Sequence, residues 1–410
     1  MRRPSPSPRR PGFTLVELLV VIVIIGVLSA LLLPAITGAM RTARNATVTG
    51  EINTLAQSLA AFKEKYGDYP PSRIMLSENG RYDTNGASGQ PAAATVVSGN
   101  GTGGADITYA ALAQRSLTYM RKFFPRVQFT TATGVTAAPG ITTTNWYDFN
   151  GDGVFQNDTV GTDGFYGYIL EGDECLAFFL GGIPLNTGTT IDPIWSMSGL
   201  GRVPTNPFSN NLNNVVAVPS NTMYNGNRLP PLYEFKNERL RDMDDPTADT
   251  VRFPSYHDSL ATDAPFAYFS AYGGEHYDPN DCNFAPRNSG GVQAGAERDD
   301  SGAGPVRRGF RVTYPVKDSA GAVATFAISA APNPYHASPA GAATTQWHKG
   351  QSFQIISPGA DGLYGLGGTY LTSGTPKMPP DLGAVTGTTE GTIRNREKDN
   401  LTSFVGGPLD

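Results

Sequence analysis

Arg9-Arg10-Pro11-Gly12-Phe13-Thr14-Leu15-Val16-Glu17 opens an apolar run in which no charged residue occurs between Leu18 and Leu33. That run contains Leu, Val, Ile and Ala with only Gly26 and Ser29 interrupting, a composition suited to hydrocarbon rather than to a soluble core. Glu17 is out of place at its mouth. A carboxylate at the edge of lipid is costly unless a cation answers it, so an acid there marks a functional position. Arg2, Arg3, Arg9 and Arg10 precede the run and are expected to stay on the cytoplasmic side, which places everything after it outside. A secretory signal peptide would be cut after its apolar region at a small-x-small site, whereas here the run continues into further helix. A plain membrane anchor would leave Glu17 unexplained.

The stretch Gly12-Phe13-Thr14-Leu15-Val16-Glu17 resembles the class III leader junction of type IV pilins and type II secretion pseudopilins. The resemblance is strong from Gly12 to about Tyr66 and scattered beyond. It implies cleavage between Gly12 and Phe13 by a prepilin peptidase that also N-methylates Phe13. It further implies an assembly role for Phe13 and Glu17, and a helix-bending role for Pro34. Partners implied are the peptidase/N-methyltransferase, other pilin or pseudopilin subunits, an inner-membrane assembly platform and membrane lipid. The location implied is the inner membrane in a single pass, leader cytoplasmic and head periplasmic or extracellular, and then a filament.

Past Pro34 the residues Val48, Ile52, Leu55, Leu59, Phe62 and Tyr66 recur at three- and four-residue steps, so the helix continues as an amphipathic stalk. From Phe13 to Tyr66 it would be roughly 80 Å long, against roughly 30 Å of hydrocarbon. Bending or melting is expected at Pro34, Gly38 and Gly50. Gly67-Asp68-Tyr69-Pro70-Pro71 ends the helix, and this exit resembles that of the G-type pseudopilins.

The whole chain has 410 residues, 48 Gly, 32 Pro and only 16% charged residues, which predicts one loop-rich head rather than a helical bundle. The formal charge of −5 falls to about −9 once the four leader arginines are removed. With no basic patch left, nucleic acid is excluded as a partner. Residues 77–104 read as an exposed loop. Short helices are expected after Asp106, stopped by Pro125, and over Gly172–Leu180. Beyond Pro184, β segments are expected at 266–270, 309–314, 324–328 and 352–356, paired antiparallel. The fold class is therefore α+β: a leader 1–12; a helix 13–66, with 13–36 in the membrane or filament core and 37–66 as stalk; a head 67–373 with a small antiparallel sheet; and a polar tail 374–410.

Asp148, Asn150 and Asp152 place oxygens at alternate positions of a Gly-containing loop, as a calcium loop does, with Asp158 close by. A plain Asx/Gly turn explains the same residues without metal. Ser357-Pro358-Gly359-Ala360-Asp361-Gly362 resembles the late Gly-Ala-Asp-Gly segment of G-type pseudopilins, which implies Ca2+ near Asp361. The acidic cluster that follows in that family is absent here. Cys175 and Cys282 are the only cysteines; one disulfide in an oxidising compartment and two buried thiols are both compatible with them. Enzyme signatures fail. Gly99-x-Gly101-x-x-Gly104 lies in a Gly/Ser loop with no acid between Asp106 and Asp148, and His257, His276, His336 and His348 lack metal-ligand spacing. A structural filament subunit is the reading favoured over a membrane-tethered enzyme or ligand-binding protein that uses the same anchor for export.

Overall fold

The computed structural model describes residues 15–82, 96–97, 107–131, 137–142, 146–153, 155, 168–188, 194–208, 216–217, 223–224, 228–241, 253–260, 264–271, 274, 276–278, 281–282, 311–317, 323–330, 333–338, 344–360, 362, 364, 367–374, 377–378 and 397–409. Helix α1 runs from Leu15 to Tyr66, 52 residues, with Pro34 inside it. Its helical assignment is unbroken at Pro34, Gly38 and Gly50, so the expected melting is not seen. Proline removes one rung and crowds one carbonyl. The ladder on either side survives, and Thr37 Oγ1 adds bonds to Leu33 O (3.1 Å) and Pro34 O (3.0 Å).

The chain divides into two compact units, Met1–Thr47 and Val48–Asp410. In the second unit, Val48, Ile52, Leu55, Leu59 and Phe62 are each 1% exposed or less, as their spacing predicts. Two further helices pack beside them: α2 over Tyr109–Phe123 and α3 over Gly172–Gly181. One phenylalanine from each helix meets the others. Phe62 lies 5.2 Å from Phe123 and 5.7 Å from Phe179, and Phe123 lies 5.8 Å from Phe179, all edge to face. The helix exit follows the sequence reading. Gly67 takes φ +87° and its N–H closes on Lys63 O at 2.8 Å, a left-handed cap that a β-carbon would strain.

A four-stranded antiparallel sheet orders Ala267–Ser270, Phe353–Ser357, Leu401–Thr402 and Val405–Pro408. The first three strands are buried on both faces, and the edge strand Val405–Pro408 is only partly covered. Tyr268, Phe353, Ile355 and Leu401 join the helical core, while Ala267, Phe269 and Ile356 join a second cluster with Tyr335, Tyr364, Tyr370 and Leu409. Side chains alternate across a strand, so a strand covered on both sides needs apolar residues at successive positions, as Ala267-Tyr268-Phe269 supplies. The hairpin Arg311–Lys317 with Val323–Ala330 is antiparallel as expected. One pair, Asn333–His336 with Gly367–Thr369, is parallel.

Two expectations change. The beginning of the 77–104 loop is interior: Ser77, Glu78, Asn79, Arg81 and Tyr82 are 1% exposed or less. Some of their polar atoms find partners in the interior, with Ser77 Oγ and Arg81 N–H donating to Asn79 Oδ1 and Tyr168 OH donating to Glu78 Oε1 at 3.0 Å. The polar tail expected at 374–410 also contributes to the head, because residues 401–402 and 405–408 are sheet strands. Carboxylates clamp that segment: Tyr335 OH donates to Glu397 Oε2 (3.0 Å) and Ala360 N–H to Asp399 Oδ2 (2.8 Å).

Helix α3 is buried over all ten residues, and its start touches the sheet backbone. A β-carbon on Gly172 would lie 2.0 Å from Tyr268 O and 2.5 Å from Cys282 Sγ. Gly172→Ala should therefore cost about 1–3 kcal/mol or more of stability by overpacking, read by urea unfolding of the full chain. Unchanged stability would show that helix and sheet can separate freely there.

Candidate functional site

The N-terminal helix is the candidate site. Every described residue from Leu15 to Arg44 is exposed. Among the described residues all exposed large hydrophobics except Ile194 lie between Leu15 and Met40, and Leu18 to Ile25 follow one another without a polar position. Consecutive apolar residues cover every side of a helix, so this segment has no wet face and requires lipid or protein around it. Glu17 sits in the first turn of α1, where the positive end of the helix dipole favours a carboxylate. Pro34 lies 17 residues on, about 25 Å along the axis. Gly12 and Phe13 lie outside the described residues.

Residues 7–33 match the family model described as Prokaryotic N-terminal methylation motif. The chain carries a prepilin-type N-terminal motif. That motif supports an exported subunit of the type IV pilin or pseudopilin kind, and it implies processing by prepilin peptidase and assembly with other pilin subunits. Proteins with the motif are structural subunits rather than enzymes, and the apolar helix is consistent with anchoring in the inner membrane. No curated protein and no solved structure matches the chain.

Where the prepilin-type helix enters the head, a feature appears that the sequence reading passed over. Glu51 Oε1 accepts from Arg239 Nη1 (2.6 Å), Tyr256 OH (2.7 Å) and Tyr233 OH (3.2 Å). Arg239 also stacks 4.4 Å from the Tyr256 ring centroid. Burial, and then the hydrogen bond to Glu51, push the Tyr256 hydroxyl far above its usual range, which keeps it a donor. The available signal was position: Glu51 is three residues after Val48 and four before Leu55, an acid on the apolar stripe.

The structure brings Asp148, Asn150 and Asp152 into one turn; Asp158 and Asp361 lie outside the described residues. Asp148 is 1% exposed, and both its oxygens accept backbone N–H groups, from Gly151 at 2.7 Å and Gly153 at 3.1 Å. Asn150 Nδ2 donates to Asp152 Oδ2 at 3.0 Å. The oxygen donors suit a hard cation by type, yet the turn already closes on its own amides. Among the described residues no group of three or more His, Cys, Asp or Glu is placed to hold a metal.

Of the two compatible states of the cysteines, the structure has two free thiols, both fully buried. Cys282 Sγ donates to Tyr268 O at 3.0 Å. Burial, with Asp281 and the carboxylates of residues 171–174 adding to it, pushes both thiols well above their usual range, so neither is a ready nucleophile. Nearby, Asp281 is fully buried and is also raised by burial, although Arg115 Nη2 at 3.2 Å and the Ser72 hydroxyl at 2.7 Å oppose the shift. This cluster ties the exit of α1 to α2 and holds the head together around α3.

Proposed function

We propose that this chain is a structural subunit of a type II secretion pseudopilus or type IV pilus-like filament. The observation that carries the reading is the join of an all-round apolar, wholly exposed helical segment bearing one acid in its first turn to a stalk buried in a folded head. Prepilin peptidase would cut between Gly12 and Phe13 and methylate Phe13. The helix would then leave the bilayer and bury its apolar surface against neighbouring copies on an inner-membrane assembly platform. Glu17 would pair with the Phe13 amine of the next subunit, because a carboxylate surrounded by hydrocarbon is stabilised by the nearest cation. That pairing sets the axial register, since a greasy surface alone is nearly indifferent to sliding. The helix exit at Gly67 and the turn after Phe353–Ser357 support a G-type pseudopilin-like character. The length of the head supports a specialised, surface-displayed subunit.

Mass analysis of the exported chain tests the reading: its N-terminus should be N-methylated Phe13. A mature chain that still begins with the arginine-rich leader, or begins after Leu33, would overturn it. Glu17→Ala should be processed normally yet be lost from filaments. Incorporation at the wild-type level would remove the proposed pairing.

A further inference from the structure

We propose that Arg41 and Arg44 form a binding site for the phosphate of an anionic lipid headgroup in the outer leaflet, which holds the span before assembly. The site presupposes that α1 rests in a bilayer before it enters a filament, as the proposed function requires, and it names the partner at the outer end of that span. Both arginines are exposed, and among the described residues neither guanidinium makes a hydrogen bond or an ion pair. Residues 18–40 separate them from Glu17 without one charged position.

Helix length sets the depth of the pair. The helix is unbroken from Leu15 to Tyr66, so Arg41 lies about 36 Å and Arg44 about 40 Å beyond Glu17 along the axis. With Glu17 at the inner edge of about 30 Å of hydrocarbon, both fall at the outer headgroups. Side chains lean toward the N-terminus of a helix, so both guanidiniums reach back toward the phosphates.

Residues three apart on a helix are surface neighbours, so two like charges stand one turn apart and repel. An anion between them removes that repulsion, and a guanidinium offers paired N–H donors that match phosphate oxygens. The helix supplies no such anion. Between Glu17 and Glu51 there is no acid, and Glu51 is already taken by Arg239, Tyr233 and Tyr256. The hydroxyls beside the pair close on the helix itself: Thr42 Oγ1 donates to Gly38 O at 3.1 Å and Thr47 Oγ1 to Ala43 O at 3.0 Å. The guanidiniums are thus the charges that must be met from outside. Once the leader is removed, no other Arg or Lys precedes Lys63.

The test uses the full processed chain, beginning at Phe13, in vesicles of phosphatidylcholine and phosphatidylglycerol. Electron spin resonance of spin-labelled forms of the two lipids reads which one is held beside the protein. The wild type should prefer phosphatidylglycerol about fivefold, and high salt should weaken the preference. Arg41→Gln combined with Arg44→Gln should bring the two lipids to parity. Equal preference in this variant and the wild type would overturn the site, whether the arginines then face water or a carboxylate of a second copy. A chain that inserts but shows no lipid preference would overturn the site alone. A chain that alkaline carbonate strips from the vesicles would overturn the membrane residence of α1 together with the site.

Discussion

Gly12→Arg should accumulate as an uncleaved, membrane-retained precursor, with essentially no mature chain. The peptide at a scissile bond must lie flat in an enzyme cleft, and glycine permits the closest backbone approach because it carries no side chain. Arginine would place a long charged chain against the cleft and would extend the basic leader, Arg9 and Arg10, by one more cation at the edge of the bilayer. An electrophoretic shift equal to the leader, with mass analysis of the N-terminus, reads the result. Because the substitution lies ahead of α1 and of every described contact in the head, its effect on folding should be negligible. Equal processing of variant and wild type would remove the peptidase from the proposed function.

Glu51→Ala should be the most damaging single truncation of the seam between α1 and the rest of the head, with an expected loss of about 3–5 kcal/mol. The side chains of Glu51 and Arg239 are only 11% and 12% exposed, and one glutamate oxygen accepts three donors. Removing it leaves a guanidinium and two tyrosine hydroxyls facing a vacancy, and stranded donors cost more than an intact bond contributes. Arg239 retains its bonds to the His257 carbonyl, which limits the damage on that side. Glu51→Gln keeps an acceptor without the charge and should lose less. Urea unfolding of the full chain distinguishes the two; equal losses would mean that volume rather than the ion pair holds the seam.

The stalk was legible because helical periodicity is local: five residues at three- and four-residue steps sufficed to name the buried face. The same reading passed over Glu51, since a pattern that counts apolar positions treats an acid among them as noise. Its partners, Tyr233, Arg239 and Tyr256, lie about 180–200 residues away in sequence. The strand at 267–270 was visible from its composition, but its two-sided burial was not, because the second cover comes from Tyr335, Tyr364, Tyr370 and Leu409. Residues 397–409 were misread for the same reason. A Gly- and Thr-rich stretch looks like coil until Leu401 and Thr402 find Ser357 and Ile356.

For the Asp148 loop the residue types named the chemistry, hard oxygen donors in a glycine turn, but could not show that both Asp148 oxygens are taken by the backbone N–H groups of Gly151 and Gly153. The amino-acid order alone determined the N-terminal segment, its length, its all-round apolarity and its single acid, because these follow from composition and from a rise of about 1.5 Å per residue. The tertiary structure alone decided which polar groups of the head are interior and what compensates them. Burial and charge pairing are properties of neighbours in space, and a chain with so many turns places those neighbours far apart in sequence.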